Sequence, residues 1–470
     1  MAALLRHKGL GPQARRALLL GLALLSLLCL GYTLAAAQGT PPSTPAPPKA
    51  DTGDTAWMLI STALVMLMTP GLALFYGGMV RAKNVLNMLM QSFVALGIVT
   101  LVWVLWGYSI AFGPGGKLIG SLAWFGLSGV GVPPNADYSA TIPHLLYMIY
   151  QMMFAIITPA LISGAIAERM KFSTYAVFML LWSTLVYCPL AHWVWGKNGW
   201  LGTNGGMGAL DFAGGTVVHI SSGVSALVLA LVLGRRHTGL EEDLRPHNLP
   251  MTLIGTALLW FGWFGFNAGS AVASSGLAVS AFVATHIAAA VAGLTWALIE
   301  WAMYKKPTAL GFATGAVAGL VAITPASGFV GPVAAIIIGA GVALISFFAI
   351  RLKHLFHYDD TLDVFGVHGV GGAWGAIATG LFASTAINSA GANGLFSGGG
   401  FKQVGIQAVA VVAAVAYAAL VTFIIIKVLG AIMGLRVSTD EENAGLDLGQ
   451  HGEAGYSGLE AEGAMMPVLE

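Results

Sequence analysis

The chain has 470 residues, of which 57% are hydrophobic and only 9% charged, against about a quarter charged in an ordinary soluble domain. A formal net charge of +1 supplies no field for a polyelectrolyte, so no nucleic-acid partner is expected. The two cysteines, Cys29 and Cys188, both lie in apolar runs, which excludes a disulfide framework and a cysteine-built metal site.

Residues 1–37 open with Arg6, Lys8, Arg15 and Arg16, continue through the apolar ALLLGLALLSLLCL and end in small residues at Ala35–Ala37. This is the pattern of a secretory signal peptide, with cleavage expected after Ala37. The Pro-rich segment 38–55 reads as an extended exterior linker. From residue 56 to 433 the sequence holds eleven apolar runs of roughly the length needed to cross about 30 Å of hydrocarbon: 56–79, 86–112, 142–167, 172–193, 214–234, 249–267, 278–304, 308–323, 331–350, 366–387 and 403–433. The expected fold class is therefore an all-α integral membrane protein with eleven transmembrane helices, followed by a cytoplasmic tail over 434–470. The 63 glycines suit closely packed membrane helices, and Gly311, Gly315 and Gly319 mark one such contact in the eighth run.

With the N-terminus outside, the loops placed inside carry Arg81, Lys83, Arg169, Lys171, Arg235, Arg236, Arg245, Lys305, Lys306, Arg351 and Lys353, with Arg436 in the tail; the exterior segments carry Lys49, Lys117, Lys197 and Lys402. Twelve against four obeys the positive-inside rule. An odd helix count accommodates two inverted five-helix repeats plus one extra helix. His219 in the fifth run and His368 in the tenth support that division, because each follows an acid, Asp211 or Asp360, by eight residues. Eight residues advance about 12 Å along a helix, so both imidazoles are expected near mid-membrane, approached from opposite faces.

An ionisable residue in the bilayer is a functional hypothesis by default. A lone histidine on an apolar face is ordinarily a packed residue, but two at matching depth point to a shared task, such as relaying a proton near neutral pH. They fall short of the three protein ligands of a usual metal site, so no metal and no cofactor are expected. Phe154, Trp195 and Phe266 fall near exterior helix ends with Ser270 close by. Spacing alone leaves open whether these aromatics form a membrane-interface belt or a cage for a small cation. Asp211 reads most simply as a helix-N-terminal carboxylate. No Walker loop, GxSxG elbow or HExxH motif occurs, so neither an ATP-driven pump nor a familiar hydrolase is supported, and no catalytic residues are assigned.

The segments ITPALISGAIAERMKF, DFAGGTVVHI, GWFGFNAGS, DDTLDVFGVHGVGG and GLDLGQHGEAGY together resemble the ammonium transporter, methylammonium permease and Rhesus family, on its bacterial side. The resemblance implies a multi-pass protein of the cytoplasmic membrane, a homotrimer with one pore within each subunit, and ammonium, ammonia and methylammonium as substrates. It makes His219 and His368 the pore histidines; Trp195, Phe154 and Ser270 the ammonium recruitment site, with Tyr150 at its edge where a phenylalanine is common; Phe154 and Phe266 the gate; and Asp211 and Trp263 supporting residues. It also implies that residues 434–457 pack beneath the trimer and adjoin a docking surface for a PII signalling protein, linking transport to nitrogen regulation. An ammonium sensor and a Rhesus-like neutral gas channel are the alternatives on the same scaffold.

Overall fold

The computed structural model describes residues 49–237 and 245–456. The expected signal peptide, nearly all of the expected linker and the end of the tail lie outside the described residues. The described chain is helical, with isolated β-bridges but no β-strand. Eleven rods run in the order α1 Thr52–Met79, α2 Ala82–Phe112, α3 His144–Ile166, α4 Phe172–Trp195, α5 Gly215–Leu233, α6 Leu249–Ala271, α7 Gly276–Tyr304, α8 Ala309–Ile323, α9 Pro332–Ala349, α10 Phe365–Val370 continuing into Gly371–Phe382, and α11 Lys402–Met433. They fall on the eleven expected runs. α8, at 15 residues, covers only about 22 Å, and its second half, from Gly315 to Ile323, is buried throughout.

The differences from expectation lie at helix ends and have local causes. α1 begins at Thr52, ahead of the apolar run, because the Asp51 carboxylate accepts the Asp54 N–H at 2.9 Å and caps it. α10 stops at Phe382, where a run to 387 was expected. Ser384, Asn388 and Asn393 bond nearby backbone N–H groups there, the local competition by which short polar side chains displace helix.

Close approach by glycine joins pseudo-equivalent helices of the two halves. Between α1 and α6, a β-carbon on Gly255 would stand 2.3 Å from the Phe75 amide nitrogen. Between α5 and α10, one on Gly223 would stand 2.1 Å from the Gly369 nitrogen. Contacts this tight admit only glycine and let dispersion act between backbones where no water drives association. The expected glycine row of α8 packs in the same way, with Gly315 and Gly319 against Ala292 and Ala288 of α7. The α5–α10 contact brings the two histidine-bearing segments face to face.

Candidate functional site

Both histidines sit in π turns, His219 in Gly215–Ile220 and His368 in Phe365–Val370; such wide turns recur at functional positions. The first is anchored by Asp211. Its Oδ1 accepts the N–H groups of Gly214 and Gly215 at 2.8 and 2.6 Å, and its Oδ2 those of Thr216 and Val217 at 2.8 and 3.3 Å. The amides that a helix start leaves without partners are thereby satisfied, and the carboxylate is fully occupied. Gly214, at φ 113°, supplies the left-handed turn that lets the chain fold back over the carboxylate. The Asp211 carbonyl accepts the Trp195 indole N–H at 2.9 Å, so the same residue orients that ring.

Trp195, Phe154, Ser270, Asp211 and Gln151 line one cavity of about 290 Å³, which we call the vestibule. Phe154 meets Trp195 edge-on at 6.1 Å and lies flat on Phe266 at 4.0 Å, closing the vestibule floor. The Ser270 hydroxyl donates to the Phe266 carbonyl at 2.9 Å, leaving its oxygen lone pairs available. Tyr150 is buried below the vestibule wall; its hydroxyl lies 2.9 Å from the carbonyls of Gly265 and Phe266 and 3.2 Å from Ser270 Oγ. Its place is therefore behind Ser270, holding the end of α6.

Below the phenyl pair lies a lumen of about 10 Å³, walled by apolar side chains including Leu72, Ile157 and Val317, together with Trp263, His219 and His368. A water-sized molecule needs roughly that much space. His219 Nδ1 and His368 Nδ1 are 3.2 Å apart. For two neutral imidazoles that contact requires one Nδ1–H to donate to the other's lone pair, which leaves one Nε2 as acceptor and the other as donor. His219 Nε2 has no partner. Trp263 stacks on His219 at 5.5 Å and is fixed by its indole N–H to Thr324 Oγ1 at 2.8 Å.

At the opposite mouth Asp360 repeats the cap of Asp211 on α10, accepting the Val364 and Phe365 N–H groups at 3.0 and 2.7 Å. A cavity of about 260 Å³ opens there between Arg81, Glu168, Arg236, Lys353 and Asp363. Glu168 pairs with Arg81 and Arg236, both at 3.0 Å, and Arg236 also grips Asp359. Arg169, fully buried, bonds the Asp359 carbonyl and the Thr361 hydroxyl. Burial alone would raise the Glu168 carboxyl, but the arginines beside it hold it below its ordinary value. Burial, with Asp363 adding to it, pushes the Asp360 carboxyl up to about 7.

The match to the Ammonium Transporter Family model spans residues 56–456. The chain belongs to the ammonium transporter family. It is 56% identical over 405 residues to an ammonium transporter of Bacillus subtilis, covering 86% of this chain and 98% of the relative. Its fold is similar to the crystal structure of Saccharomyces cerevisiae Mep2, with a TM-score of 0.78 and 38% identity over 83% of this chain and 90% of that one. It is also similar to a solved structure titled Sensor Amt Protein, at TM-score 0.77 and 30% identity over 85% and 98% of the two chains.

In this member of the ammonium transporter family, two groups of residues escaped the sequence reading. The first is the ion-pair network: Arg81, Arg169 and Arg236 entered only as topology charges, although the acids of AERMKF and DDTLD stood beside helix ends as a signal. The second is the way the tail is held. Asp447 accepts the Leu86 and Asn87 N–H groups at 3.0 and 2.8 Å, capping α2 from a distance. Buried Glu442 binds Arg436 at 2.7 Å and the His237 N–H at 2.6 Å. The tail motif thus packs against the helix ends of its own subunit.

Proposed function

We propose that the chain transports ammonium: it recruits NH4+ in the vestibule, where the cation gives a proton to vestibule water above the phenyl floor, passes NH3 through the lumen and carries the proton by a separate route. The observation that carries this reading is a lumen for about one small molecule, apolar except for a histidine pair, directly beneath an aromatic cavity. Burying an isolated ammonium in an apolar medium costs tens of kcal/mol on the idealised estimate. Deprotonating an amine whose pKa lies about three units above neutral costs only about 4 kcal/mol. Ammonia is the cheaper cargo.

Each residue then has a task. Trp195 and Phe154 offer ring faces worth about 0.5–2 kcal/mol to a cation, and Ser270 accepts a hydrogen bond from it. Phe154 and Phe266 exclude water and hydrated metal ions. The Nε2 acceptor and Nε2–H donor of the histidine pair match the N–H and lone pair of ammonia, and the Nδ1 contact offers a proton path. Asp211 serves indirectly, by holding Trp195 and the start of α5, and Trp263 serves by fixing His219.

The vestibule faces the exterior and the tail the cytoplasm of a bacterial inner membrane, a reading supported by the distribution of lysine and arginine. Three copies assemble with a pore in each, after removal of the signal peptide. The docked tail couples the subunits and adjoins the surface for a PII protein; deletion beyond Leu435 is expected to alter both transport and PII binding. The likeness to the sensor protein keeps ammonium sensing as the second reading, and the neutral gas channel as a third. Electrical recording on proteoliposomes, with parallel methylammonium uptake, separates them: the proposal expects uptake with an inward current, a gas channel gives silent flux, and a sensor gives neither.

A further inference from the structure

Beyond the residues already assigned to recruitment, we propose that Gln151 is a second hydrogen-bond acceptor for the cation held in the vestibule, a deepening that rests on the ammonium reading above. Gln151 lies on α3, one turn before Phe154, and is only 9% exposed on the vestibule wall. Its Nε2 donates to the Tyr147 hydroxyl at 3.2 Å, which sets the amide so that Oε1 is the free end. That Oε1 is buried and has no partner. A buried acceptor without a donor is a cost the native state ordinarily avoids, and a ligand N–H removes it.

The cation's needs point the same way. NH4+ carries four N–H groups and no acceptor. The ring faces of Trp195 and Phe154 and the Ser270 oxygen account for part of this shell. Asp211, the acid on the same wall, accepts four backbone N–H groups and has none of its capacity left. Asp137, at the rim, is paired with Lys197 at 2.5 Å and half exposed. Gln151 adds to this wall a buried, uncharged acceptor that no donor satisfies. An uncharged amide also suits a step that ends in loss of a proton, because it binds the cation without holding it as tightly as a carboxylate.

The test is ammonium-dependent current on proteoliposomes for wild type, Gln151→Met and Gln151→Glu, with monodisperse elution and Tm in detergent as folding controls. Gln151→Met is expected to raise the half-saturating ammonium concentration roughly tenfold, about 1.4 kcal/mol, with little change in maximal current. Gln151→Glu keeps an acceptor and is expected to saturate at or below the wild-type concentration. A folded Gln151→Met variant with wild-type half-saturation would overturn the proposal. If that variant does not fold, a Gln151→Glu variant with weakened half-saturation would overturn it instead. Absence of ammonium-dependent current and uptake in wild type would overturn the transport reading itself, and this site with it.

Discussion

Asp211 and Asp360 each stand eight residues before a buried histidine, His219 or His368, and each accept N–H groups at the start of a π turn, yet their surroundings differ. Asp211 takes four amides and presents its carbonyl to Trp195, in a cavity walled by aromatic rings. Asp360 takes two, between Lys353 and Asp363 and next to a buried network of arginines and acids. The inverted repeat therefore supplies the common part, two helix starts that aim imidazoles at one another. The mouths depart from the symmetry, one walled by aromatic rings and the other by charges bound in fixed pairs.

The comparison can be broken first at the charged mouth. Glu168→Gln leaves Arg81 and Arg236 without their shared carboxylate. Removing one partner of a buried ion pair costs about 3–5 kcal/mol, so a marked fall of Tm in detergent is expected; an unchanged Tm would mean that the network carries no structural load. At the aromatic mouth, Asp211→Asn removes one of two accepting oxygens, an expected loss of about 1–3 kcal/mol. Because the Trp195 tether loosens with it, half-saturation by ammonium should also rise, an effect that Glu168→Gln should not reproduce.

The smallest expected effect is the pH response of Asp360. With its folded-state pKa pushed up to about 7 and an unfolded value near 4, the folded protein retains a proton that the unfolded chain has lost between about pH 4 and 7. Stability from this group accordingly falls as pH rises through that window. The Tm advantage of wild type over Asp360→Asn should be larger at pH 5 than at pH 7.5. A pH-independent difference would contradict the assignment.

The helix count and both histidines were legible in the sequence, because apolar run length and matched acid-to-histidine spacing are local signals. That His219 and His368 touch was not: it depends on Gly223 meeting Gly369, a contact between residues 146 positions apart with no local signature. The vestibule was legible only in part. Trp195, Phe154 and Ser270 do line one cavity, whereas Tyr150 turns behind Ser270 because its hydroxyl finds carbonyls at the end of α6. Gln151 carries no motif, and its unpartnered oxygen exists only once α3 is packed. The ion-pair network gathers side chains from several loops, so its pairing leaves no trace in spacing beyond acids standing beside helix ends.

The central claim is that ammonia, not a cation, crosses a lumen where, among the described residues, the two histidines are the polar partners. Its most direct test is replacement of both His219 and His368 by leucine, with methylammonium uptake measured in proteoliposomes with and without competing K+. Loss of uptake, or loss of its selectivity against K+, is predicted. Full, selective uptake by the folded double variant would contradict the account.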